Sequence, residues 1–190
     1  DTHSFPTRRS SDLNNISEEK HDKLLGTSSG AADIFGSTGG VMEAALRTAY
    51  EVITGEEAPV IDFEMVRGDY GKIKRAEVEI NDLTVKVAVS NGLANARELL
   101  ERIKQGEEYH FVEFMACPGG CIGGGGQPLP ATEEVILKRQ KALYDIDNNK
   151  QLRKSHENPY IQKLYQEYLG EPGSHKAHQL LHTKYKSRGI

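Results

Sequence analysis

Glu113-Phe114-Met115-Ala116-Cys117-Pro118-Gly119-Gly120-Cys121-Ile122-Gly123-Gly124-Gly125-Gly126-Gln127-Pro128 is the stretch around which the chain is organised. It holds both cysteines of the 190 residues and six of the 19 glycines. It follows an alternating apolar run and closes on a proline. Two soft thiolates, with three residues between them and wrapped in backbone with few side chains, point to a metal cluster held close to the main chain.

Ligand arithmetic limits that reading. A four-iron cubane usually takes four cysteines, and structural zinc takes four ligands. Zinc would therefore need histidines. His110 lies on the strand that leads into the site. His175, His178 and His182 share one face of the last helix, where packing or a surface role is the plainer account. The non-metal readings are two buried thiols or a local disulfide. A redox pair normally has two intervening residues rather than three. The residues alone leave metal ligation and inert thiols both open.

Outward from this stretch, composition sets broad bounds. Hydrophobic residues make up 37% of the chain, with 24 basic and 28 acidic residues and a net charge of -4. Mean hydropathy is -0.58. Neither a nucleic-acid footprint nor a membrane-surface charge pattern is present. No apolar run approaches the ~20 residues that span a bilayer. The start, Asp1 to Arg9, lacks the apolar segment of a secretory signal, and two cysteines without an export signal favour a reducing, cytoplasmic setting. Residues 3–13, His-Ser-Phe-Pro-Thr-Arg-Arg-Ser-Ser-Asp-Leu, resemble an in-frame translation of a sequencing adapter. Residues 1–13 are thus expected to be non-native, with the natural chain extending upstream.

Upstream of the cysteines, Asn14 to Leu25 reads as a polar short helix and residues 26–33 as a loop. Gly36-Ser37-Thr38-Gly39-Gly40 opens a helix from Val41 to Thr54, with Ser37 or Thr38 as its cap and Gly55 as its stop. Val41, Ala44, Ala45, Thr48, Ala49 and Val52 form the expected inward face. The glycine-rich turn lacks the Lys-Ser/Thr ending of a phosphate loop, which makes a tight, close-packed turn the better reading. Three strands are expected over Val60–Val66, Ile73–Ile80 and Leu83–Val89, the last two joined through Asn81-Asp82 as a hairpin. Ala94 to Gln105 reads as a helix, and Tyr109 to Met115 as the strand that delivers the cysteines.

Past Pro128-Leu129-Pro130 the pattern becomes helical. Thr132–Asp145, a helix capped by Asn158-Pro159, and a last helix from Ser174 to about Tyr185 are expected. Ile161, Leu164, Tyr165, Tyr168 and Leu169 form a thin apolar stripe. Such a tail suits a belt laid on a body rather than an independent core.

His110 to Pro128 closely resembles the last of three cluster-binding motifs of the iron-only (FeFe) hydrogenases. The run Phe35 to Arg47, Phe-Gly-Ser-Thr-Gly-Gly-Val-Met-Glu-Ala-Ala-Leu-Arg, is similar to the same family. The tail from Arg153 through His182 resembles a segment that some members carry as a separate small subunit. The resemblance covers about residues 14–188. It implies an H-cluster: a 4Fe-4S cubane bridged by a thiolate to a two-iron centre, at which protons are reversibly reduced to dihydrogen. It further implies that Cys117 and Cys121 ligate the cubane and that Cys121 carries the bridging sulfur. Met115, Phe35 and Val41 resemble residues lining the two-iron pocket.

The resemblance fixes the remaining expectations. The fold is α/β: a small mixed sheet with flanking helices, half of an H-cluster domain, plus a helical C-terminal tail. The divisions are 1–13 adapter-like, 14–130 large-subunit-like and 131–190 small-subunit-like. Nothing here matches the family's first two motifs, which supply the other two cubane cysteines and the proton-transfer cysteine. No residue of this chain is therefore assigned a catalytic role, and the isolated chain is expected to be silent. Its partners would be the missing N-terminal half and either ferredoxin or NAD(P)-linked subunits. The alternative is a non-catalytic hydrogenase-like iron–sulfur protein for assembly or sensing.

Overall fold

The computed structural model describes residues 17–20, 22, 26–58 and 62–186. The adapter-like segment lies outside them, as does most of the helix expected over Asn14–Leu25.

A three-stranded mixed sheet of order β1-β2-β3 forms the centre, from Ile73–Ile80, Leu83–Asn91 and Phe111–Met115. The Asn81-Asp82 turn closes β1 and β2 as an antiparallel hairpin, with Ile80 opposite Leu83 and Ile73 opposite Ser90. Asn81 takes the left-handed φ of 53° that such a turn uses. β3 runs parallel to β2, placing Met115 beside Asn91. Parallel neighbours need a crossover, and α3 (Leu93–Lys104) supplies it.

Burial along β2 shows how the layers stack. Val87 through Asn91 are all buried, where a one-sided sheet would alternate. Val87 and Val89 join Met42, Leu46, Phe63, Val66, Val78 and Ile80 in the main core on one face. α3, anchored by the fully buried Leu99, packs against β2 and β3. Behind the main core lies α2 (Gly40–Thr54), and beyond it α1 (Gly30–Ile34) and α4 (Glu133–Asn148). Ala31, Ile34, Ala44 and Tyr144 fill that second seam.

The α2 face differs from expectation. Met42, Glu43, Ala44, Leu46 and Arg47 are buried, whereas Val52 is 74% exposed. Apolar periodicity fails here because two of the buried residues are charged and pair with one another. The Val60–Val66 run also departs from a strand. Val60 and Ile61 lie outside the described residues, and Glu64–Val66 is one 3-10 turn. Phe63 and Val66 enter the core at turn spacing, while Asp62 pairs with Arg67 and Arg153 at 3.2 and 2.7 Å.

The tail helices start where their caps predict. Thr132 caps α4, Asn158 with Pro159 caps α5 (Pro159–Leu164), and Ser174 caps α6 (His175–Leu181). α5 widens into a π turn over Tyr165–Leu169, closed by the Gly170 N–H on the Tyr165 carbonyl at 2.7 Å. That widening redistributes the expected stripe: Leu169 is buried, but Ile161 and Tyr168 are exposed. α6 stops at Leu181, short of Tyr185.

A buried ion network joins the tail to the body. Arg47 donates to both oxygens of Asp147 at 2.9 and 2.8 Å and to Glu43 at 2.9 Å. Arg153 reaches the same Asp147 carboxylate at 2.6 Å, and Arg67 reaches Glu43 at 2.8 Å while lying 3.9 Å over the Tyr144 ring. The three acids Glu43, Asp62 and Asp147 balance the three arginines, so no charge is left buried alone. A Cβ at Gly30 would land on the Asp147 carboxylate, so only glycine lets α1 sit this close.

Candidate metal centre

β3 ends at Met115, and the chain turns at Cys117-Pro118-Gly119-Gly120-Cys121 into a single 3-10 turn, Cys121–Gly123. Gly119 and Gly120 take φ values of 82° and 93°, in the left-handed region that other residues avoid. The turn is closed by the Gly120 N–H on the Cys117 carbonyl and the Gly124 N–H on the Cys121 carbonyl, each at 3.0 Å.

Three neighbours hold this turn. The first is the turn before α2. Its Thr38 N–H donates to the Gly119 carbonyl, and its Gly36 carbonyl accepts from the Ile122 N–H, both at 3.1 Å. The approach is close: a Cβ on Gly120 would sit 2.8 Å from the Gly36 carbonyl oxygen and from the Thr38 nitrogen. The second is α4, whose Arg139 donates to the Ile122 and Pro128 carbonyls at 2.7 and 2.6 Å. The third is Asn91 at the end of β2, whose Oδ1 accepts from the Gly119 N–H at 2.9 Å.

Glu113 ties the incoming strand to α2. Its carboxylate accepts from the Gly39 N–H at 2.6 Å and the Met42 N–H at 2.8 Å, and takes a further bond from the Val41 N–H. The helix start has no side-chain cap of its own, since Gly39 occupies that position. Neither Ser37 nor Thr38 caps it; Glu113, 74 residues downstream of Gly39, does. The exposed N–H groups that favour an anion at a helix start are therefore already answered by a protein carboxylate. Burial pushes the Glu113 carboxyl above its ordinary value, and the three backbone donors pull it part of the way back.

Both thiols are free; Cys117 is half-buried and Cys121 exposed. Met115 and Val41 are half-buried, and Phe35 is 45% exposed at the end of α1. The backbone bonds at Gly36 and Thr38 place the Phe35–Val41 segment against the cysteine turn. The histidines do not join the thiols. His110 pairs along the sheet edge, with its Nδ1 accepting from the Lys86 N–H at 3.0 Å. His178 and His182 stack on each other at 4.4 Å. Among the described residues, the one grouping of three ligand-type side chains within reach of one another is Glu51, His156 and Glu157, which includes neither cysteine. Lys154 stands beside it, 2.5 Å from Glu51 and 3.1 Å from Glu157, so an ammonium already supplies the cation there.

Chemically, the turn offers two thiolates and no third donor, which disfavours a self-contained zinc site. It suits a cluster that takes its other ligands elsewhere. The Cβ position of Gly124 lies 3.3 Å from Cys117 Sγ, and those of Gly125 and Gly126 face open space. A bulky inorganic group can therefore approach the backbone at the thiols.

Sequence patterning found the thiols, the glycine turn and the strand. It missed Asn91, which with Gly92 reads only as the end of the Leu83–Val89 arm, and Glu113, which reads as an ordinary polar position in an alternating run.

Comparisons with known proteins identify the family. The family described as iron only hydrogenase large subunit, C-terminal domain, matches residues 6–125, and that described as iron hydrogenase small subunit matches residues 133–188. The NADP-reducing hydrogenase subunit HndD of Solidesulfovibrio fructosivorans is 54% identical over 95% of this chain and 31% of its own length. The periplasmic [Fe] hydrogenase large subunit of Nitratidesulfovibrio vulgaris is 47% identical over 70% of this chain and 32% of its own. A solved structure of [FeFe]-hydrogenase HydA1 from Chlamydomonas reinhardtii superposes with a TM-score of 0.66 at 43% identity, covering 94% of this chain and 52% of that one. More distant relatives include a probable cytosolic Fe-S cluster assembly factor of Drosophila virilis, 35% identical over 78% of this chain and 31% of its own. The chain thus spans about a third of the length of the curated relatives it matches.

Proposed function

The chain belongs to the iron-only hydrogenase family, and from that membership we propose that it forms part of an enzyme interconverting 2H⁺ + 2e⁻ and H₂. The observation that carries this reading is the pair of unbridged thiols on a glycine turn clamped to the core. In this reading Cys117 and Cys121 would hold the 4Fe-4S part of an H-cluster, with Cys121 also serving its two-iron centre. Met115, Phe35 and Val41 line the apolar side of that centre. When bound, the cluster supplies the electrons and the place where protons are reduced.

The protein's own part is positional. The turn fixes two thiols beside backbone with few side chains, and backbone N–H groups there can hydrogen-bond sulfur and tune the potential. Apolar lining excludes water from a site where protons and electrons must meet. No residue of this chain is assigned the proton-transfer role, because both cysteines serve as ligands. In this reading the remaining cubane ligands come from a further part of the enzyme. Ferredoxin or an NAD(P)-linked subunit is the electron partner. Cytoplasmic placement belongs to the same proposal and rests on thiols that must stay reduced.

The test is hydrogen evolution. The 190-residue chain, given iron, sulfide and a small external thiol under anaerobic conditions and then the two-iron centre, is expected to evolve no hydrogen above a Cys117→Ser control. Robust evolution would contradict the two-sided site. The second reading, a non-catalytic iron–sulfur protein, is favoured by the match to the assembly factor. The apolar Met115 and Val41, which the enzyme reading assigns to the two-iron pocket, favour the enzyme, since a simple cubane holder has no need of them.

A further inference from the structure

Asn91 is fully buried at the end of β2, directly beside Met115 in the sheet register. Its side chain uses every hydrogen-bonding position it has. Oδ1 accepts from the Gly71 N–H at 2.7 Å and from the Gly119 N–H at 2.9 Å. Nδ2 donates to the Asp69 carbonyl at 2.8 Å and the Lys72 carbonyl at 3.2 Å. The two donors on one side and two carbonyls on the other fix which end of the amide is oxygen. The backbone around it is locked as well: its carbonyl accepts from Asn95 Nδ2 at 2.8 Å, and the Gly92 N–H donates to the Met115 carbonyl at 2.9 Å.

Only an amide satisfies this environment. An aspartate would turn two donors into acceptors facing two carbonyls, and a smaller residue would leave the buried Gly119 N–H without its partner. Gly119 lies midway between Cys117 and Cys121, and its own carbonyl is held by Thr38. The Asn91 side chain thus ties the middle of the five residues spanning the two thiols to the buried end of β2.

We infer that Asn91 is a positioning residue for the metal centre: it sets the spacing and orientation of the Cys117 and Cys121 thiolates through Gly119, and so tunes the cluster they hold. The inference rests on the ligand reading above. Residues that orient metal ligands typically change affinity ten- to a hundredfold when altered.

The experiment compares the full chain with Asn91→Asp, Asn91→Ser and, as a control, Leu99→Ala, which opens a cavity under α3 away from the turn. Each is loaded anaerobically with ferrous iron, sulfide and 2-mercaptoethanol. Iron loss to a chelator and the electron paramagnetic resonance spectrum of the reduced cluster are then measured. Asn91→Asp is expected to lose iron at least about tenfold faster and to show shifted or broadened g-values. Leu99→Ala should melt at a lower temperature yet keep the wild-type spectrum and loss rate. Wild-type-like behaviour of the folded Asn91 variants overturns this inference alone. No iron uptake by the wild type overturns the ligand reading and this inference with it. If neither Asn91 variant folds where Leu99→Ala does, Asn91 is a fold determinant and its proposed tuning role is wrong.

Discussion

Cys117 and Cys121 sit four residues apart yet meet solvent differently, and that difference orders their chemistry. Thiol reactivity follows thiolate access. In the cluster-free chain, the exposed Cys121 should therefore be alkylated faster than the half-buried Cys117. Mass spectrometry of tryptic peptides after a short pulse of iodoacetamide checks this, and equal labelling would contradict the described turn. At the same scale, Gly123 has no room for a side chain, because a Cβ there would press on the Pro118 carbonyl. Gly123→Ala is expected to lose about 1–3 kcal/mol in urea unfolding, as overpacking against fixed backbone does. The cysteines and glycines were legible in the sequence because their chemistry is rare and local. Asn91 and Glu113 were not, because their partners lie 28 residues away in one case and 74 in the other.

The elements themselves were largely readable. Hairpin, crossover helix and tail caps each follow from local signals such as Asn81-Asp82, Asn158-Pro159 and Ser174. What local signals could not give was the α2 start. Its cap comes from β3, so the strand that carries the cysteines and the helix that carries Val41 are fixed to each other. Replacing Glu113 by Ala should cost about 0.5–2 kcal/mol for the cap alone. Glu113→Gln keeps the shape but sets an NH₂ against backbone N–H groups and should not restore full stability. Denaturant midpoints of the two variants check this, and a wild-type midpoint for Glu113→Ala would show the cap to be absent. The inward face of α2 was also hidden, because Arg47 and Glu43 are buried as a pair.

At the scale of the whole molecule, body and tail meet through Arg47, Asp147 and Arg153. Burial raises the Asp147 carboxyl, but the bonds from Arg47 and Arg153 outweigh it and hold the group below its ordinary value of 3.8. A depressed carboxyl contributes stability that is present above the unfolded value and lost as pH falls through the folded one. The junction should therefore weaken only below about pH 4. Asp147→Asn removes the carboxylate that Arg47 and Arg153 share, leaving Arg47 to Glu43, and should cost up to about 3 kcal/mol at pH 7. The difference from wild type should shrink towards zero in strong acid, and a pH-independent difference would contradict the pairing. Metal content tests the ligand role of the two cysteines most directly. After anaerobic loading with iron, sulfide and an external thiol, the chain is predicted to hold about four irons and four sulfides and to give the spectrum of a reduced cubane. Cys117→Ser and Cys121→Ser should each abolish it. A chain that holds no iron, or that keeps its cluster after either substitution, contradicts the account.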